Sequence, residues 1–127
     1  MQDKYIFEYA VIRVVPKVDR EEFINVGLIL FSKRLKRLKI KFELPEQKIR
    51  CFCKDFDIDQ LKLNLEAFEK ICTDKTNRSP ISLFEIDEKF RWITAIKSSS
   101  LQTSRPHPGY TTNIDETFDK LYHELVL

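Results

Sequence analysis

The segment KYIFEYAVIRVV, residues 4–15, is the feature that most constrains the fold of this chain. It is rich in aromatic and β-branched residues, which predicts a β-strand. Both of its faces are apolar, apart from Glu8 on one face and Arg13 on the other. Because a strand with two apolar faces needs cover on each of them, we expect it to be the central strand of a sheet with packing on both sides.

Two further strands follow after short connections. The segment 22–32, EFINVGLILFS, predicts the second strand, and Gly27 within it predicts a bulge or a close approach of another backbone. Strict alternation would place Phe23, Asn25, Gly27, Ile29 and Phe31 on one face and Ile24, Val26, Leu28 and Leu30 on the other. The third segment, RLKIKFEL, alternates apolar and charged residues, which predicts one buried and one solvated face. The short connections favour an antiparallel meander.

Helical patterns occupy most of the remaining chain. Residues 57–75 carry an amphipathic stripe with Asp57 and Gln60 as a capping box, and residues 112–127 carry a second stripe with Asn113 and Glu116 in the same roles. Residues 79–96 fit either a helix from Pro80 or a loop followed by a short helix from about residue 87. We therefore predict a single α+β domain over residues 1–127, with an antiparallel sheet of three to four strands (the amino-terminal meander plus a late strand) packed against two to three helices.

Composition and charge exclude several classes of protein. The 22 basic and 20 acidic residues nearly balance, so the whole chain has no strong preference for nucleic acid or membrane. No signal-peptide pattern and no apolar run of about 20 residues occurs, from which we expect a cytoplasmic protein. The cysteines at 51, 53 and 72 form no usual zinc or redox spacing, so we predict free thiols, buried or half-buried, and no metal or cofactor.

One short segment is strongly basic. Six cations crowd residues 33–41: Lys33, Arg34, Lys36, Arg37, Lys39 and Lys41. They are able to track a phosphate backbone, but three of them occupy the solvated face that the alternation already requires to be polar. No aromatic side chains interleave with these charges as in single-strand binders. The pattern favours a solvated strand face over a nucleic-acid site.

Residues 98–110, SSSLQTSRPHPGY, are the most polar and turn-rich part of the chain. Gln102 to Ser104 predict a short edge strand, after which RPHPGY is expected to turn. His107 stands between two prolines, which is consistent either with a general acid held on a stiffened chain or with a simple turn residue. No spacing of serine, histidine and acidic residues indicates a catalytic triad.

Two arginines are further candidates for binding an anion. Arg13 and Asn25 come close together if the first two strands pair, either as a structural pair with Glu8 or Glu22 or as the floor for an anionic ligand. Arg91 is able to clamp an anion or to lie along Trp92.

Four segments together resemble the bacterial family called domain of unknown function 3037: YAVIRVVP, EFINVGLILF, FRWITAIKSSSLQTS with HPG, and DETFDKLYHELV. The resemblance extends over nearly the whole chain. Carried over by position, the motif residues of the family are Arg13, Asn25, Gly27, Arg91, Trp92, Ser98, Gln102, Ser104, His107 and Gly109. The chain departs from the family pattern at Ile96, Lys97 and Arg105. Lys97 keeps a charge but loses the bidentate fork of arginine.

The name of the family does not assign an activity to its members. The resemblance implies genes next to those of kinases of the HipA toxin type, and hence an accessory or regulatory partner of such a kinase in a toxin–antitoxin or defence operon. We therefore predict a small binding module rather than an enzyme, with the motif residues as its binding surface. Two alternatives stay open: a nucleic-acid-binding protein that uses residues 33–41, and a small enzyme that acts on an anionic substrate through His107 and arginines.

Overall fold

The computed structural model describes residues 4–17, 20–73, 85–95 and 100–127. Its strands are β1 (Tyr5–Val14), β2 (Ile24–Ser32), β3 (Arg37–Phe42), β4 (Leu101–Thr103) and β5 (His107–Thr111). Its helices are α1 (Glu46–Phe52), α2 (Ile58–Thr73), α3 (Ile86–Ala95) and α4 (Ile114–Leu125). Within these ranges, none of the helices combines the length and the apolar character needed to cross a bilayer.

The strands form one antiparallel sheet in which β1 is central, as predicted. The order is β3–β2–β1, and the other edge of β1 is shared by β4 and β5. β4 pairs with residues 12–14 of β1, and β5 pairs with residues 5–9. The predicted α+β fold is confirmed, with five strands and four helices among the described residues.

The expected turn in RPHPGY is wrong, because β5 begins at His107 and continues along β1. Proline is tolerated in this strand because it lies at the edge of the sheet, where only one side of the backbone needs donors. Only Ser104 to Pro106 interrupt the edge between β4 and β5. Helix α1 was not anticipated either, although Pro45 at its start and Glu46 in its first turn are typical of a helix amino terminus.

Both faces of the sheet are covered, since residues of β1 alternate between two hydrophobic clusters. Ala10, Ile12 and Val14 belong to the larger cluster, together with residues of α1, α2 and α3. Phe7 and Val11 belong to the smaller cluster, with residues of α4. The sheet therefore has an α3 side and an α4 side, and each exposed residue of β1 is assigned to a side by this alternation.

The strict alternation expected in β2 is wrong at its first half. The register between β1 and β2 shifts between Ile12 and Arg13, so Gly27 faces Ile12 and Asn25 faces Arg13. Val26 is thereby displaced, and it joins the larger cluster together with Ile29. This is the bulge that Gly27 predicted.

The helix starts are largely those that the sequence indicates. The carboxylate of Asp57 accepts from the Gln60 amide at 3.0 Å, and the side chain of Asn113 accepts from the Glu116 amide at 3.2 Å. Helix α3 begins at Ile86, which agrees with the shorter of the two interpretations. Pro80, the other interpreted start, lies outside the described residues.

The three cysteines are free but differ in exposure. Cys51 is exposed, against the prediction of a buried or half-buried thiol, while Cys53 and Cys72 are partly buried. Burial on α2 raises the pKa of the Cys72 thiol to about 12.

We predict a large difference in reactivity between the Cys51 and Cys72 thiols. Because the thiolate is the nucleophile, a variant that retains only Cys72 should react with a disulfide reagent at pH 8 at least about a hundredfold more slowly than one that retains only Cys51. Stopped-flow absorbance of the released thiol measures both rates. Equal rates in two folded variants would contradict the buried position of Cys72.

Candidate functional site

The sequence-predicted site residues divide between the two sides of the sheet. Arg91 belongs to α3 and contacts Glu8 on the α3 side. Arg13, Asn25 and Gln102 lie on the α4 side, where Asn25 contacts the end of α4. These side chains do not meet in one pocket. Ser98 lies outside the described residues.

A cleft of about 350 Å³ lies on the α3 side, and we call it the α3 cleft. It is lined by Ile6, Phe7, Glu8, Phe31, Lys33, Asp87, Arg91 and Pro108. Arg91 forms a bidentate pair with Glu8, with N–O distances of 3.1 and 2.5 Å. Lys33 lies 3.8 Å from Asp87 across the same cleft. The charged groups of the cleft are therefore paired with each other.

An apolar strip borders these ion pairs. Ile6 and Tyr110 are direct cross-strand partners, as are Glu8 and Pro108. Ile6 is 51% exposed and Tyr110 is 72% exposed. Cross-strand partners lie on the same face of a sheet, so the two large side chains form one exposed strip next to the α3 cleft. Exposed aromatic and aliphatic groups beside an arginine are the composition that protein interfaces favour.

The strip was missed by sequence analysis for a definite reason. The sequence places Tyr110 in a turn, so its position opposite Ile6 on β5 is not predicted. A period-two pattern in residues 107–111, HPGYT, is too short and too rich in turn residues to reveal the strand.

Ser104 joins the two halves of the edge. Its amide donates to the Val11 carbonyl at 2.8 Å, and its hydroxyl accepts from the Val11 amide at 2.9 Å. Both backbone groups of Val11 are thus satisfied by one residue where the ladder is interrupted. Ser104, one of the predicted motif residues, therefore supplies hydrogen-bond partners to the backbone of β1.

We predict that Ser104→Ala lowers the free energy of unfolding by about 1–3 kcal/mol, because the Val11 amide loses its acceptor. Ser100→Ala is the matched control, since Ser100 contributes its backbone carbonyl to the Val15 amide and keeps it in the variant. Urea denaturation followed by circular dichroism measures both. Equal stabilities would show that the hydroxyl contributes nothing to the ladder.

The remaining motif residues of the edge pack against β1. The His107 ring lies 5.3 Å from the Tyr9 ring, and no described residue forms a hydrogen bond with it. Gly109 lies against Phe7, where an added Cβ would be 2.6 Å from the ring Cζ. Trp92, a motif residue outside this edge, lies on α3 and is 37% exposed. His107 thus has no described partner that would orient it as a catalytic base.

Three polar side chains form a row across β2, β1 and β4. Arg13 is the cross-strand partner of both Asn25 and Gln102. The Asn25 amide nitrogen donates to the Leu125 carbonyl at the end of α4, at 3.0 Å. The pairing of Arg13 with Glu8 or Glu22, one of the two interpretations, is wrong, because Glu8 pairs with Arg91 and Glu22 with Arg20.

The basic segment makes contacts within the molecule. Arg37 and Lys39 both bond to Asp115 of α4, at 2.7 and 2.5 Å. The hydrogen bond from Lys39, with the neighbouring Arg37, holds the pKa of the Asp115 carboxyl below its usual range. Lys41 lies 4.6 Å from the ring centroid of Tyr122. The face that alternation assigned to solvent is partly covered by α4.

Metal chemistry has no candidate ligand set within the described ranges. No group of three or more histidine, cysteine, aspartate or glutamate side chains there is placed to hold an ion.

A comparison with protein families gives one match. The family described as "Protein of unknown function (DUF3037)" matches residues 9–126 of the chain. Searches of curated proteins and of solved structures found no significant match. The matched range contains all the motif residues on which the resemblance rests.

Proposed function

The chain belongs to the DUF3037 family, and we propose that it is a protein-binding module that docks its partner on the α3 cleft. The observation that carries the proposal is the exposed strip formed by Ile6 and Tyr110 directly beside the Arg91–Glu8 pair. Tyrosine and arginine are enriched among the residues that contribute most to interface affinity. An exposed apolar strip bordered by ion pairs matches the core and rim of such an interface.

The geometry of the strip supports a protein partner over a small ligand. Ile6 and Tyr110 lie on neighbouring strands and extend the apolar surface beyond the cleft. The Arg91 guanidinium already has the Glu8 carboxylate as a bidentate partner, so its charge is neutralised before any ligand arrives. A partner that covers the strip would remove both apolar side chains from water and dry this ion pair.

The partner that we propose is a kinase of the HipA type in the cytoplasm, as the family resemblance implies. In this role the chain acts as an accessory or regulatory subunit, and the genes belong to a toxin–antitoxin or defence operon. The family resemblance is the support for this partner. Direct binding with purified components is therefore the required test.

We predict that Tyr110→Ala weakens binding of a HipA-type kinase, the proposed partner, at least about tenfold. The ring is 72% exposed, so its loss should leave the fold intact. Leu63→Ala on α2 is the matched control, because Leu63 is also a large exposed apolar side chain, at 60%, and does not belong to the strip. Isothermal titration calorimetry with purified proteins measures both affinities.

Either of two results would refute the proposal. One is the absence of binding between the folded wild-type chain and the kinase. The other is an equal loss of affinity in both variants, which would remove the special role of the α3 cleft.

The two alternative functions have less support. Nucleic-acid binding needs free cations, whereas Arg37, Lys39 and Lys41 are engaged with α4. An enzyme built on His107 needs a group that orients the imidazole, and no described residue hydrogen-bonds to it. A steep fall of nucleic-acid affinity with salt, abolished by charge reversal at Lys41, would restore the first alternative.

A further inference from the structure

A second cleft lies on the opposite, α4 side of the sheet, over Arg13. Its volume is about 370 Å³, and its lining residues are Arg13, Val15, Glu21, Phe23 and Gln102. We call it the Arg13 cleft. From its geometry we infer that it binds the carboxylate group of a small molecule, a function separate from docking at the α3 cleft.

The position of the guanidinium is fixed from several sides. Arg13 lies over the Phe23 ring, with 4.3 Å from Cζ to the ring centroid. Gln102 and Asn25 are its neighbours on the two adjacent strands. Asn25 is in turn held by the Leu125 carbonyl. A guanidinium stacked on an aromatic ring and set in a sheet is pre-organised to bind a planar anion.

The Arg13 guanidinium forms no ion pair with any of the described residues. The Arg13 side chain forms no hydrogen bond with any of them, and its Nε is buried without an acceptor. Since nearly all buried polar groups in proteins are paired, an unpaired Nε on an arginine that lines a cleft indicates a place where a ligand supplies the missing acceptor.

The charges around the cleft favour a carboxylate over a phosphate. Arg13 is the one cation that lines the cleft among the described residues, and the carboxylate of Glu21 shares the lining. Arg20 is already paired with Glu22. A single guanidinium opposed by one carboxylate suits a singly charged ligand, whereas a phosphate dianion calls for several donors and cations. The exposed Phe23 ring and Val15 supply an apolar wall for the body of such a ligand.

The test uses 3-phenylpropionate as the probe, titrated into the ¹⁵N-labelled full-length chain and followed by NMR. We expect saturable shifts of the amide signals of Phe23 and Gln102, and none at Leu63 on α2. Arg13→Lys, which keeps the charge but loses the fork, should weaken binding at least about tenfold. Arg20→Lys is the matched control and should bind as the wild type does.

Glu21→Gln gives a test of opposite sign. Removal of this negative charge should tighten binding about two- to fivefold. Because the change lies on an exposed side chain, it tests the site without a risk to the fold.

Three results would overturn the inference. They are shifts that do not saturate, an unchanged affinity in folded Arg13→Lys, and tighter binding of inorganic phosphate than of 3-phenylpropionate. If Arg13→Lys fails to fold, unchanged or weaker binding in Glu21→Gln would have the same consequence.

Discussion

Replacing Phe90 with alanine is expected to lower the free energy of unfolding by about 3–5 kcal/mol. Phe90 has no exposed surface, and its ring lies 4.5 Å from the ring of Phe31 in the larger cluster. Truncation removes the transfer free energy of the ring and leaves a cavity between α3 and the sheet. The Arg91 guanidinium lies 5.5 Å from both ring centroids, so the same change loosens the wall of the α3 cleft.

Trp92→Ala is the matched control for this prediction, because it is an aromatic-to-alanine change on the same helix. Trp92 is 37% exposed, so its replacement should lower the free energy of unfolding much less than that of Phe90. Urea denaturation followed by far-ultraviolet circular dichroism measures both without using the tryptophan signal. Equal losses in the two variants would contradict the placement of Phe90 as the anchor of α3.

Gly27→Ala is expected to lower the free energy of unfolding by about 2–3 kcal/mol. An added Cβ would lie 2.8 Å from the Lys41 carbonyl oxygen and 2.9 Å from the Phe42 Cβ. These obstacles belong to the backbone and first side-chain atom of β3, so β3 must shift away from β2. Moving β3 away from β2 at this point also disturbs the bulge that sets the register between β1 and β2.

The sign of the effect makes Gly27→Ala informative. Gly27 does not have a positive φ, and at such a position alanine normally stabilises by about 0.4–1 kcal/mol through the unfolded chain. The close contact with β3 is the reason for the opposite expectation. A thermal unfolding midpoint equal to or above that of the wild type would show that β2 and β3 do not approach as closely as described.

Much of the fold is predictable because it depends on local patterns. The two apolar faces of β1 predicted a central strand, and Gly27 predicted the bulge. Asn113 predicted the start of α4, since a side chain that satisfies the first free amides is a local requirement.

The parts that sequence analysis missed depend on pairing between distant segments. Whether HPGYT is a turn or a strand is decided by the free edge of β1, which lies about a hundred residues earlier. The cover over the charged face of β3 likewise depends on Asp115 of α4. Such contacts have no counterpart in the local pattern of either segment.

The division of the motif residues has a consequence for function. Arg91 belongs to the α3 cleft, whereas Arg13 and Gln102 belong to the Arg13 cleft on the other side of the sheet. Ser104 and Gly109 lie in the edge between them and contact the backbone or ring of β1. Two surfaces on opposite faces of one sheet are able to act independently, so a variant of one cleft should leave the other unchanged.

Hydroxyl-radical footprinting with mass spectrometry tests the central claim most directly, because it reports the exposure of individual side chains. Tyr110 in the strip beside the α3 cleft, Phe23 at the Arg13 cleft and Leu63 on α2 are all exposed in the free chain. We predict that binding of the proposed partner, a HipA-type kinase, lowers the oxidation rate of Tyr110 severalfold and leaves the rates of Phe23 and Leu63 unchanged. A complex in which Tyr110 is oxidised as fast as in the free chain would contradict docking at the α3 cleft.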